Sequence, residues 1–153
     1  MTLTLSSPLS LYSIPIVWIL AYHPQVIKGN LIKKTIGYDN VNARTNVKRV
    51  ADSDKVSREV VARVQRAEGA HLNGLEALPM WGLGILAGNF AGLDHWTLNV
   101  VSLAFILTRF TYNQVYINYN TLGKGFFRSL VWAAGSLMPL YLVVKAANKL
   151  AAQ

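Results

Sequence analysis

Arg66-Ala67-Glu68-Gly69-Ala70-His71-Leu72-Asn73-Gly74-Leu75-Glu76 runs straight into an apolar stretch over 75–93. A guanidinium, an amide and a carboxylate therefore stand at the mouth of, or inside, a segment that otherwise reads as membrane-spanning helix. Hydrocarbon disfavours such groups strongly, so they are expected to face protein or a wet cavity, where they mark a site. With about 100° per residue, Arg66, Gly69, Asn73 and Glu76 share an arc of about 80°, and His71 falls on roughly the opposite side.

Three further apolar stretches lie outside this one, at 9–27, at 96–108 with a polar-aromatic extension to 120, and at 126–150. At about 1.5 Å per residue each can cross a hydrocarbon layer of about 30 Å, the third only with its extension. The expectation is one all-α membrane domain over 1–153, a four-helix bundle with spans near 9–27, 60–93, 96–120 and 126–150. The second helix should begin near Ser57, with Asp54 as a possible cap. Pro15, Pro24, Pro79 and Pro139 fall in or beside these helices, which membrane bundles tolerate when neighbours satisfy the freed carbonyls.

Composition agrees with this reading. The 153 residues are 52% hydrophobic and 14% charged, against about a quarter charged in an average soluble domain. With no cysteine, the chain has no disulfide, thiolate metal site or cysteine nucleophile, so any thiol chemistry must use a substrate's sulfur. The formal charge of +8 gathers in one loop, 28–58, and at helix ends. That pattern fits membrane topology better than nucleic acid, and the positive-inside rule makes the loop cytoplasmic.

Two more polar faces follow from spacing. Ser102, Arg109, Tyr112, Asn113, Tyr116, Tyr119 and Asn120 fall within an arc of about 120° on the third helix. The tyrosines alone would read as an interfacial belt, but Arg109 needs a partner, Glu76 being one choice. The fourth helix opens with Lys124, Arg128 and Ser129, cations where the helix macrodipole disfavours them. Beside an anion the placement makes sense: a guanidinium and a hydroxyl near a bound thiol lower its pKa and hold the nucleophilic thiolate. The alternative for Arg128 is a lipid phosphate. His71 and Glu68 lack a third ligand, so no metal site is expected.

The stretch Arg66 to Glu76, followed by Ala77-Leu78-Pro79, resembles the signature of the MAPEG family, membrane-associated proteins in eicosanoid and glutathione metabolism. The long basic loop, Arg109 with Tyr116, and the pair Arg128-Ser129 extend the resemblance over most of the chain. It implies a left-handed four-helix bundle assembled as a homotrimer in the endoplasmic reticulum or another internal membrane. Glutathione would bind between subunits near the cytoplasmic face, and a lipophilic substrate would enter from the membrane lipid. By the same resemblance Asn73, Glu76 and Tyr116 match glutathione-binding positions and His71 the motif's histidine; Arg66, Arg109 and Tyr112, on the polar faces, are further cofactor-binding candidates. Arg128, with Ser129 beside it, matches the arginine that stabilises the thiolate. The sequence departs from the family pattern where Gly69 replaces an arginine and Trp132 replaces a tyrosine used by some members.

Three functions fit these residues. The first is a glutathione transferase, isomerase or peroxidase acting on a lipophilic electrophile. The second is a glutathione-independent isomerase, cyclase or hydrolase using the same cavity, and the third is a non-catalytic membrane scaffold.

Overall fold

The computed structural model describes residues 4–119 and 122–153, with the side chains of Leu122 and Lys124 outside that description. Among the described residues all regular structure is helical: α1 (Ser13–Thr35), α2 (Asn46–Ala51), α3 (Arg58–Phe90), α4 (His95–Asn118) and α5 (Leu122–Ala151). A 3-10 turn precedes α1 and another precedes α2.

Local chemistry sets the helix ends. Ser57 caps α3 by accepting from the Val60 N–H at 3.4 Å, so the hydroxyl, and not Asp54, begins the helix. At the other end Gly92 adopts φ +65°, and Leu93 N–H returns to Gly88 O at 2.9 Å. That closure needs a left-handed residue, which glycine adopts without strain. Two residues on, Asp94 caps α4 by accepting from the Thr97 N–H at 2.7 Å. This hydrogen bond holds the Asp94 carboxyl below the usual carboxylate range. The result is a tight reversal that lays α4 back along α3.

α3 and α4 form the central pair. α1 packs on one side of it and α5 on the other, and α1 and α5 do not touch among the described residues. The core between them centres on Trp81, fully buried and stacked on Phe105 with ring centroids 4.0 Å apart. Trp81 Nε1 donates to Ser13 Oγ at 3.1 Å, which satisfies the indole where no water reaches. Asn99 Nδ2 donates to the carbonyls of Leu5 and Ser7 and so ties the N-terminal segment to α4.

The expected 28–58 loop is shorter than its charges suggested, because α1 continues to Thr35. Lys28 is buried at 6% exposure and ion-pairs with Glu68 of α3, which allows the helix to carry it inward. Lys33 and Lys34 then stand in the last turn of α1, where cations suit the macrodipole. Beyond it, Asn46 organises the loop. Its amide accepts from Asp39 N–H and Arg49 and donates to the carbonyls of Asp39 and Ala43.

Large apolar side chains are exposed on all four long helices, among them Ile19 and Val26, Leu83 and Leu86, Leu103 and Leu107, and Leu137 and Val144. One described helical segment, Gly125–Ala151, is long and apolar enough by composition to cross a membrane. The other three helices carry more polar groups, several of them turned inward. Lys28 meets Glu68, Asn113 Nδ2 donates to Leu20 O at 2.8 Å, and Ser102 is buried against its own helix.

Candidate functional site

Because α5 meets α3 and α4 but not α1, a groove lies along the three helices, and it holds two cavities. The first, of about 230 Å³, is lined by Asn73, Tyr112, Tyr116, Arg128, Ser129 and Trp132. The second, of about 270 Å³, takes Glu76, Ala77 and Met80 from α3, Phe105 and Arg109 from α4, and an α5 face running from Trp132 to Leu140. Asn73 and Trp132 line both, so a polar chamber adjoins a mostly apolar one.

In the polar chamber, the Arg128 guanidinium lies over the Tyr116 ring, 4.5 Å from its centroid. Tyr112 packs against Tyr116 with centroids 5.4 Å apart. The ring face attracts the cation and sets its place, and the guanidinium N–H groups can donate to an anionic partner. Ser129 Oγ donates to Gly125 O at 3.3 Å, a long bond that is readily exchanged. Asn73 Nδ2 donates to Gly69 O at 3.3 Å, leaving its carbonyl oxygen as an acceptor.

In the apolar chamber, Arg109 is buried at 5% exposure, with its guanidinium 4.7 Å from the Tyr112 centroid. Its Nη2 is buried with no hydrogen-bond partner. Glu76 lines the same chamber but is exposed, and no ion pair joins the two among the described residues. A buried guanidinium donor without an acceptor calls for one from outside the chain.

Seven of the nine site residues expected from the sequence therefore line the groove: Asn73, Glu76, Arg109, Tyr112, Tyr116, Arg128 and Ser129. Two lie elsewhere. Arg66 Nε donates to Ile117 O at 3.0 Å and, with Arg63 bonded to Asn118, closes the C-terminal end of α4. His71 faces α1, where Nδ1 bonds to Ala21 O at 2.8 Å and Tyr22 meets the ring edge-on. That position agrees with the opposite-face angle read from the sequence. Asn113 also turns to α1, while Asn120 lies outside the described residues.

Gly69 accounts for its own departure from the family pattern. A Cβ built there would lie 2.6 Å from the Tyr116 hydroxyl, so Tyr116 occupies the space a side chain at 69 would need. The sequence reading missed the α5 wall as a unit. Trp132, Ser136, Pro139 and Leu140 follow Arg128 at intervals of three and four, the spacing of one helix face, which was the available signal.

An all-α protein with an apolar exterior and a groove joining a cationic, tyrosine-lined chamber to an apolar one is suited to pairing a polar ligand with a lipophilic one. The chain belongs to the MAPEG family, whose profile matches residues 9–148, nearly the whole sequence. Membership makes it a membrane protein of a glutathione-related class. No curated protein and no solved structure matches it.

Proposed function

We propose that this protein is a membrane enzyme that activates the thiol of glutathione in the polar chamber for attack on a lipophilic electrophile held in the apolar one. The observation that carries this is the convergence of Asn73, Tyr112, Tyr116, Arg128 and Ser129 on one cavity that adjoins an apolar neighbour. Arg128 and Ser129 lower the thiol pKa by favouring the thiolate. The thiol proton leaves to solvent, the sulfur lone pair forms the new bond to the electrophilic carbon, and that carbon's π pair or leaving group departs with its electrons and takes up a proton from solvent. Asn73 and the tyrosine hydroxyls hold the peptide groups, while a carboxylate meets Arg109, whose buried Nη2 has no acceptor of its own.

The same proposal includes assembly as a homotrimer with the groove completed by a neighbouring subunit, and four crossings with loop 28–58 cytoplasmic and both termini across the membrane. An internal membrane such as the endoplasmic reticulum is the proposed location. The exposed apolar residues on every long helix support multiple crossings.

A second reading, glutathione-independent isomerisation, cyclisation or hydrolysis, is favoured by one feature. Glu76 lines the apolar chamber and Tyr116 the polar one beside it, a carboxylate and a phenol of the kind that acid-base chemistry on a hydrophobic metabolite uses. Turnover of a lipophilic electrophile by purified protein, with and without glutathione, separates the two. Activity confined to the glutathione arm supports the first reading, and equal activity in both arms rejects it.

A further inference from the structure

We infer that Gly69 is the positioning residue for Arg128: the empty place at its α-carbon receives the Tyr116 hydroxyl, and the ring so held is the platform on which the guanidinium rests. This rests on the polar chamber being the thiol site. A Cβ at position 69 would stand 2.6 Å from Tyr116 Oη, 3.0 Å from Cζ and 3.1 Å from Cε1. All three atoms belong to the free end of one side chain, so an added methyl is accommodated by tilting the ring and not by parting α3 from α4. Arg128 stacks on the face of that ring, 4.5 Å from its centroid, and Tyr112 packs beside it at 5.4 Å. A tilt is therefore passed to the guanidinium, whose hold on an anion depends on angle and distance.

Gly69 is thus matched to Tyr116 in this chain, and its lack of a side chain acts two residues removed, through Tyr116 and then Arg128. The effect belongs to the thiol's ionisation and not to the stability of the fold. Gly82, in the same helix with nothing within 4 Å of its built Cβ, is the control for a methyl that disturbs no ring.

The experiment follows the ultraviolet absorbance of the thiolate of glutathione bound to full-length protein in lipid nanodiscs, titrated with pH. The proteins are wild type, Gly69→Ala, Tyr116→Phe, the Gly69→Ala/Tyr116→Phe double variant and Gly82→Ala. The expected result is a midpoint raised by about one unit in Gly69→Ala, toward the free-thiol value. Adding Gly69→Ala to Tyr116→Phe should shift the midpoint by less than half as much, because the closest overlap is gone. Gly82→Ala should match wild type. A Gly69→Ala midpoint equal to wild type overturns the inference while leaving the thiol site standing. If Gly69→Ala fails to fold, the double variant must recover both fold and midpoint, and its failure to do so also overturns it. A silent wild type rejects the thiol site itself, and this role with it.

Discussion

The Arg128 guanidinium carbon lies over the ring of Tyr116, 4.5 Å from its centroid, so a cation from α5 is set by an aromatic from α4. Lysine keeps the charge but has neither the plane nor the fork of donors. Replacing Arg128 with Ala, and equally with Lys, should lower kcat/KM for the glutathione reaction by about 10²-fold. Circular dichroism and oligomeric state should stay unchanged. A scaffold role would instead leave the cellular phenotype of Arg128→Ala intact.

Two glycines of α3 should respond oppositely to the same methyl. A Cβ on Gly74 would stand 2.8 Å from the α-carbon of Ala21, which is backbone and cannot give way. Gly74→Ala should destabilise the protein by about 1–3 kcal/mol by forcing α1 from α3. Gly82→Ala meets open space and should be neutral or stabilising by up to about 1 kcal/mol. Thermal unfolding in one detergent reads both.

Lys28 and Glu68 hold each other between α1 and α3, with 7% and 33% of their side chains exposed. Glu68→Gln strands the buried ammonium and should cost about 3 kcal/mol, the low end for a buried pair because Glu68 is partly open. Lys28→Met combined with Glu68→Leu should lose clearly less than Glu68→Gln alone. Denaturant unfolding of the three proteins checks the order.

Asp94 gives a pH dependence with a definite sign. The Thr97 N–H holds its carboxyl below the ordinary value of 3.8, so its cap contributes stability above that pH and loses it as pH falls through the lower folded value. Asp94→Ala should therefore melt below wild type at neutral pH. The gap should close in the acid range, as followed by melting temperature against pH.

The helices and most of the groove were legible because both write themselves in short-range spacing. The polar residues of α3 and α4 lie on arcs that rotation per residue predicts, and Asn73, Glu76, Tyr112 and Tyr116 meet where those arcs face α5. The angle that set His71 apart from Asn73 also put it against α1. What spacing could not give was pairing across helices. Lys28 read as the start of a loop because its partner Glu68 is 40 residues away. Arg66 shared the site's arc, yet α4 ends beside it and takes its Nε. The fit of Tyr116 into Gly69 is likewise a contact between helices, and in the sequence it showed only as a missing side chain.

Whether the chamber under Arg128 receives glutathione is read directly by calorimetric titration of the purified protein with glutathione up to millimolar concentration. Saturable heat is expected, which Arg128→Ala diminishes and Gly82→Ala leaves alone. A flat titration of folded wild-type protein would contradict it.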